Sequence, residues 1–319
     1  EKPRAHMKTK PPDTRSHNEA KSRSRVTRRT VLRRLGAGAV AGAAWVAAGA
    51  RPDVAAAAAE GEGRRGRIRQ SVVPWCFRPM PAVELVNHAA RLGLGSVELI
   101  GPEHWPLLKE KGMVCAIAGS HGFAKGFAHR EEHEECLTIL RERIDLVAAA
   151  GFPAVITFSG FRRGLSMEEG TRNMVAGLKA IAGHAERKGV TVCLEMLNSR
   201  VDVEMKGHPD YFCDDIDHSV EIIKQVGSER VKVLWDIYHV QIMNGDLIRR
   251  IREQHPYIGH YHTAGNPGRN EIDDSQEINY PAVMRAIVET GYQGFVGQEF
   301  IPTGEPVAAL REAARLCDV

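Results

Sequence analysis

Four residues with metal-binding side chains stand at the ends of four successive apolar segments in the second half of the chain. They are Glu195 in VCLEMLN, Asp236 in VLWDIYH, His262 in GHYHTAG and Glu299 in VGQEF. The intervals between them are 41, 26 and 37 residues, and each is about the length of one strand and one crossover helix. Three carboxylates and one imidazole around a single point would bind a hard or borderline divalent ion. The spacing therefore predicts a metal site, provided that the four segments end close together.

The elements that must position these residues alternate between strand and helix patterns after Gly66. Eight apolar runs bounded by turn residues are predicted strands, at 68–76, 96–100, 113–118, 154–158, 190–194, 231–235, 258–261 and 294–297. Amphipathic segments lie between them, at 81–92, 131–150, 168–188, 213–225, 247–253, 280–289 and 305–316. Several are followed by a glycine, which is the residue expected just past the end of a helix.

Eight strand–helix units predict an α/β fold, a (β/α)8 TIM barrel that forms a single domain over residues 60–319. In such a barrel the carboxyl ends of the strands meet on one face, so Glu195, Asp236, His262 and Glu299 would converge there. The alternative is an open doubly wound sheet. No G-x-G-x-x-G motif follows the first predicted strand, and this disfavours the alternative.

Residues 1–59 are predicted to be a leader that is separate from the barrel. Paired Arg28 and Arg29 precede the Ala- and Gly-rich stretch 35–50, which is too short and too weakly apolar for a stable membrane span. This pattern is typical of a twin-arginine signal and predicts export to the periplasm, the cell envelope or the outside of the cell. A basic N-terminal tail without a targeting role is the alternative.

Charge and cysteine content restrict the classes of partner. The leader holds 13 Lys/Arg against 4 Asp/Glu, whereas residues 60–319 hold 30 against 36. Because the predicted barrel is mildly acidic, its charge indicates no nucleic-acid partner. The six cysteines form no C-x-x-C motif, and they are predicted to be free structural residues. The sequence leaves open whether the protein forms a homo-oligomer.

Four segments together resemble one known family. LEMLNSR at 194–200, WDIYH at 235–239, HTAGNPGR at 262–269 and GQEF at 297–300 are similar to the hydroxypyruvate isomerase branch of the xylose-isomerase-like barrels. The resemblance covers roughly residues 68–310. One position departs from the pattern, because His262 stands where the hydroxypyruvate isomerases have a glutamine. The histidine at this position resembles the ketose epimerases instead.

The resemblance implies a set of residue roles. Glu195, Asp236, His262 and Glu299 would bind one divalent metal ion, with Mn²⁺ or Mg²⁺ favoured by the carboxylates and Co²⁺ or Zn²⁺ left open by the histidine. His239 and Arg269 would contact substrate oxygens. The implied chemistry is an aldose–ketose type of isomerisation or epimerisation through an enediolate, with the ion as Lewis acid. Glu195 and Glu299 would be the catalytic pair that removes and returns a proton.

Two further residues are predicted to lie near the site. His121, in GSHGF after the third predicted strand, would contact substrate at the same rim. Glu98 lies inside the second predicted strand, where a charge needs a partner, and it is expected to form hydrogen bonds at the mouth of the barrel.

The sequence therefore predicts a metal-dependent isomerase or epimerase of a small hydroxy-carbonyl compound or sugar. A dehydratase or lyase acting on a keto-sugar would use the same ion and carboxylates, and export would favour that alternative. A DNA-repair endonuclease would need more metals, more His and Asp ligands, and a basic groove. A non-catalytic sugar-binding module is the alternative outside enzymes, and paired glutamates within the predicted metal site disfavour it.

Overall fold

The computed structural model describes residues 65–319. The predicted leader and its twin-arginine signal lie outside the described residues. Six strands form one sheet: β1 (Arg69–Val72), β2 (Ala154–Thr157), β3 (Thr191–Glu195), β4 (Val231–Asp236), β5 (Ile258–Thr263) and β6 (Phe295–Gln298). Their order is β1-β6-β5-β4-β3-β2, and every pair is parallel.

The gap between β1 and β2 is filled by the segments predicted as the second and third strands. Glu98 donates its backbone N–H to Val72 in β1, and Leu99 donates to Ile117. Parallel bridges join Ser96 to Val114 and Ala118 to Val155 in β2. These contacts close the sheet into a ring, so the predicted eight-unit TIM barrel is confirmed.

The prediction that both segments are regular strands was wrong in detail. Each forms isolated bridges instead of a continuous ladder. Leu99 has a φ of 50°, in the left-handed region, and this conformation interrupts an extended strand. The first strand is also shorter than predicted, because Pro74–Phe77 turns into a 3-10 helix.

Nine α-helices are present in residues 65–319. They are α1 (Ala82–Arg91), α2 (Trp105–Glu110), α3 (His133–Ala150), α4 (Met167–Lys188), α5 (Ile216–Val226), α6 (Ile237–Met243), α7 (Leu247–Gln254), α8 (Tyr280–Glu289) and α9 (Pro306–Leu316). Seven correspond to predicted amphipathic segments, and the short helices α2 and α6 were not predicted. Helices α3, α4 and α5 end at left-handed glycines, as the sequence indicated.

The helices pack one apolar face against the sheet. In α3 the buried residues Cys136, Leu140, Ile144 and Val147 follow the three- and four-residue spacing of a single helix face. All six cysteines are buried and unpaired, consistent with their predicted role as small apolar side chains. Within residues 65–319, no helix combines the length and apolar character that crossing a bilayer requires.

Candidate metal centre and active site

The four predicted ligands converge at the carboxyl ends of β3 to β6. Glu195 and Asp236 are the last residues of β3 and β4, and Glu299 directly follows β6. In the register of the sheet, Asp236 lies opposite His262, and the Glu299 N–H donates to Thr263. The parallel sheet therefore brings together residues that are more than a hundred positions apart.

Ligand atoms of these four residues all lie within 4.8 Å of one another, and all four side chains are buried. His262 Nδ1 is 2.9 Å from Glu299 Oε2 and 3.5 Å from Glu195 Oε1. Neither His262 Nδ1 nor Glu195 Oε1 has a hydrogen-bond partner of acceptable geometry among the described residues. Buried polar atoms left in this state are costly, and a shared cation would satisfy both of them.

The electrostatics of the cluster suit a bound cation. Burial raises the pKa of Asp236 to about 7, although the Arg269 charge opposes the shift. Burial also raises the pKa of Glu195, and the neighbouring Glu299 adds to the shift. Burial alone would raise the pKa of Glu299 too, but the charges of His262 and Arg269 hold it well below its usual range. Three crowded carboxylates with one imidazole thus fit a divalent ion.

A second polar layer lies beneath the cluster and was only partly predicted. Glu98 Oε1 accepts hydrogen bonds from His262 Nε2 at 2.8 Å and from His260 Nε2 at 2.9 Å. With its Nε2 bonded to Glu98, His262 turns Nδ1 towards Glu195 and Glu299. Histidine ligands of metals are commonly oriented in this way by a carboxylate on the other ring nitrogen.

Burial would raise the pKa of Glu98, but the charge and hydrogen bond of His260, together with those of His262, lower it to about 2. Glu98 was expected at the mouth of the barrel, and it lies fully buried in the interior instead. His260 was missed. The signal was available, because His260 and His262 are two residues apart on one strand and so share one face.

Gly297 in β6 makes room for this layer. A Cβ atom at Gly297 would lie 2.1 Å from Glu98 Oε1 and 3.0 Å from His262 Cδ2. Only the absence of a side chain lets the Glu98 carboxylate approach the sheet so closely. The need for a glycine at the start of the GQEF segment is therefore explained by packing, which the sequence alone did not show.

Arg269 enters the cluster from the loop after β5. Its Nη2 lies 2.5 Å from Glu299 Oε2 and 3.4 Å from Asp236 Oδ2, and its Nη1 donates to the Met205 carbonyl at 2.6 Å. Trp75 donates its indole N–H to Glu299 Oε1 at 3.1 Å, and the guanidinium lies 5.1 Å from the Trp75 ring centroid. Arg269 thus connects two predicted ligands with the loop that follows β3.

His239 lies in the first turn of α6. Asp236 caps this helix by accepting hydrogen bonds from the N–H groups of Tyr238 and His239. The backbone N–H of Asn198 donates to His239 Nδ1 at 3.0 Å, so the ring proton is on Nε2. That atom is buried 3.6 Å from Asp236 Oδ2 and has no hydrogen-bond partner in the part of the chain that the structure describes. It is placed to donate to a ligand, as the predicted substrate contact requires.

A pocket of about 90 Å³ opens onto the cluster. Its polar lining consists of Glu195, Glu299, Arg269 and His208. The remaining lining is mostly apolar: Trp75, Leu99, Phe123, Ile156, Phe158, Leu197 and Met205. Pockets for drug-sized ligands measure roughly 300–1,000 Å³, so this one suits a much smaller molecule.

His121 does not line the pocket itself but packs against Phe158, which does. Its Nε2 lies 2.9 Å from Thr157 Oγ1, and its ring packs edge-on against Phe158, with 5.9 Å between the centroids. The structure thus brings together six of the predicted site residues: Glu195, Asp236, His262, Glu299, Arg269 and His239. His121 is separated from them by the aromatic lining of the pocket. Substrate contact by His121 stays a prediction.

Comparison with known proteins agrees with this geometry. Residues 86–318 match the family model described as "Xylose isomerase-like TIM barrel". The chain belongs to this family. A crystal structure described as AP endonuclease, family 2, from Brucella melitensis superposes with a TM-score of 0.68 at 26% sequence identity, covering 78% of this chain and 99% of that one.

Curated relatives carry isomerase names. A Xenopus laevis protein named putative hydroxypyruvate isomerase is 32% identical over 260 residues, covering 75% of this chain and 91% of the relative. A Cupriavidus necator protein named 2-oxo-tetronate isomerase is 36% identical over 129 residues, covering 40% of this chain and 47% of the relative. Two relatives named putative hydroxypyruvate isomerase, from Danio rerio and Homo sapiens, are likewise spanned over about half of their length. These relatives support an enzyme of the isomerase class.

Proposed function

We propose that this barrel isomerises a small hydroxy-carbonyl compound, most plainly a 2-oxo acid of three or four carbons. The observation that carries the proposal is the pocket of about 90 Å³ that exposes Glu195 and Glu299 beside Arg269. Two carboxylates facing one small cavity can exchange a proton with a carbon held between them. The names of the relatives support the same chemistry, because hydroxypyruvate and 2-oxo-tetronate both have a hydroxyl on the carbon next to the oxo group.

Different residues of the site would perform the different steps of such a reaction. Glu195 Oε1 has no hydrogen-bond partner among the described residues, so it is free to take a proton from the carbon beside the carbonyl. Glu299, held in place by Trp75 and Arg269, is the second carboxylate of the pair. It would give a proton to the neighbouring carbon after receiving one from solvent, while Glu195 releases its proton to solvent and the hydroxyl proton moves to the former carbonyl oxygen. His239 Nε2 can donate to a substrate oxygen, and the apolar wall excludes water from the reacting carbon.

Glu195, Asp236, His262 and Glu299 are the residues that would hold a divalent ion. Three carboxylate oxygens and one imidazole nitrogen favour Mn²⁺ or Mg²⁺ and also accommodate Co²⁺ or Zn²⁺. When bound, such an ion supplies Lewis acidity, which stabilises negative charge as it develops on substrate oxygens. An endonuclease of the multi-metal type would require more His and Asp ligands than this cluster offers.

Solvent exchange in D₂O tests the proposal. The Mn²⁺-loaded protein should incorporate deuterium at carbon in hydroxypyruvate or tartronate semialdehyde, and the two compounds should interconvert. Glu299→Gln should abolish both processes while leaving the far-ultraviolet circular dichroism unchanged. Glu289→Gln, on the outer surface of α8, is the matched control and should exchange at the wild-type rate.

Two other results would contradict isomerisation, and a third would contradict only its mechanism. Loss of water from a keto-sugar would identify a dehydratase or lyase. Binding of sugars without exchange in any substrate would identify a non-catalytic binding module. Exchange that persists in Glu299→Gln would remove the two-carboxylate mechanism but retain the isomerase.

We also propose that the protein is exported by the twin-arginine route. The support is the sequence pattern of residues 24–50, in which Arg28 and Arg29 precede the Ala- and Gly-rich stretch. Cell fractionation of the full chain and of a variant with both arginines changed to lysine tests this proposal. An unchanged distribution of the variant would contradict it.

A further inference from the structure

His208 is a polar residue of the pocket wall with no assigned role in the proton transfer. Its side chain is 6% exposed, and it lines the cavity together with Glu195, Glu299 and Arg269. The ring packs against Phe123, with 4.5 Å between the centroids, and lies 6.1 Å from the His239 ring. Within residues 65–319 no hydrogen bond ties the imidazole to another residue, and its ring nitrogens are open to the cavity. A donor and an acceptor that face a small cavity are available to a ligand from outside the chain.

The loop after β3 fixes the position of this ring. The His208 N–H donates to the Asn198 carbonyl at 2.8 Å, and the Asn198 side chain in turn donates to the Lys206 carbonyl at 2.9 Å. Gly207 permits the tight course of the chain, because a Cβ there would lie 2.0 Å from the Val201 carbonyl oxygen. His208 is therefore presented to the cavity by a defined backbone.

The ring can donate a hydrogen bond without carrying a charge. Burial, together with the Arg269 charge, lowers the pKa of His208 to about 4. At neutral pH the ring is uncharged and keeps one N–H donor and one acceptor nitrogen. Its lining neighbours Phe123, Phe158 and Leu197 have no polar side-chain atoms, so a substrate oxygen on this side would find its donors in His208 and Arg269.

We propose that His208 is a specificity-determining residue that donates a hydrogen bond to the carboxylate of a three- or four-carbon oxo acid, beside the guanidinium of Arg269. The inference rests on the proposed function, since it names the substrate class of the same site. A longer sugar would bring hydroxyls against the apolar wall, where each would lose its hydrogen bonds to water.

A pair of substrates that differ only at the carboxylate provides the test. Hydroxypyruvate and dihydroxyacetone share the hydroxy-ketone, and the second has a hydroxymethyl group in place of the carboxylate. His208→Phe keeps the aromatic packing on Phe123 and removes the donor. It should raise KM for hydroxypyruvate about 10- to 100-fold, the effect of one hydrogen bond to a charged group, with little change for dihydroxyacetone and with kcat nearly retained. His208→Gln, which keeps a donor, should restore most of the preference.

The matched control is His184→Phe, on the outer face of α4 beside Asp145, which should behave as wild type. A loss in His208→Phe that is equal for both substrates, or an unchanged KM, would overturn the inference. The dissociation constant of hydroxypyruvate, measured by tryptophan fluorescence, separates this failure from failure of the proposed function. Binding without exchange by the wild type would refute the isomerase and leave the His208 comparison measurable, whereas absence of binding would refute both.

Discussion

Glu98→Gln tests the role of the second polar layer, formed by Glu98 with His260 and His262, separately from the carboxylates of the metal-binding cluster. The substitution preserves shape but removes the charge that accepts hydrogen bonds from both His260 and His262. Both hydrogen bonds go to the same atom, Oε1, and a glutamine oxygen in its place can still accept from both rings, but without the negative charge. The amide nitrogen of the glutamine would take the place of Oε2, which has no hydrogen-bond partner among residues 65–319. His262 would then be held by weaker hydrogen bonds, and its Nδ1 would be presented less firmly to Glu195 and Glu299.

The structure sets the size of the effect. Loss of a carboxylate that orients a histidine ligand typically costs 10- to 100-fold in metal affinity, so the dissociation constant for Mn²⁺ should rise by about that factor. The lowering of the Glu98 pKa from 4.5 to about 2 is equivalent to about 3 kcal/mol of folding free energy in the metal-free protein. Because the folded-state pKa is the lower one, this stabilisation is present above pH 4.5 and is lost as the pH falls towards 2.

Two measurements check the prediction. Competition with a chromophoric chelator gives the metal dissociation constant, and urea unfolding of the metal-free proteins gives the free energy of unfolding at several pH values. Glu132→Gln is the matched control, since Glu132 is also a buried glutamate, paired with Arg163 at 2.6 Å, but has no contact with the cluster. It should lose stability and keep the wild-type affinity for Mn²⁺.

Unchanged metal affinity in Glu98→Gln would refute the orienting role of Glu98. Equal losses of affinity in the Glu98 and Glu132 variants would show that the effect is general destabilisation. A stability difference that stays constant as the pH falls from 4.5 would refute the assignment of a buried carboxylate at position 98. Binding of two ions per chain by the wild type would show that Glu98, His260 and His262 form a second metal site instead.

Two other substitutions test neighbouring contacts. Gly297→Ala should lower the affinity for Mn²⁺ as Glu98→Gln does, because the new Cβ displaces the Glu98 carboxylate. Competition with a chelator measures the loss, and a wild-type affinity would contradict the packing argument. Arg269→Gln should destabilise the metal-free protein by about 3–5 kcal/mol, because Asp236 and Glu299 lose their buried counter-charge. Added Mn²⁺ should recover part of the lost stability. Melting curves with and without Mn²⁺ check this prediction, and equal melting temperatures of the metal-free wild type and variant would contradict it.

Local sequence patterns were sufficient for most of the architecture. Apolar runs, amphipathic spacing and helix-ending glycines such as Gly151 and Gly189 depend on residues close together in the chain, so they are readable without a structure. The eight-unit repeat then placed Glu195, Asp236, His262 and Glu299 at one end of the barrel. The predicted boundaries were wrong where a turn replaces part of a strand, as at Leu99.

The sequence by itself therefore determined the barrel and the identity of four convergent side chains, because strand direction alone forces their meeting. Only the tertiary structure decided what surrounds them. Glu98 meets His260 and His262 across 162 and 164 residues, and Arg269 reaches back 64 residues to the Met205 carbonyl. Such contacts depend on side-chain direction, on the space left by Gly297 and on the course of the loop that carries His208. Nothing in a local pattern specifies these, since they arise when distant segments pack.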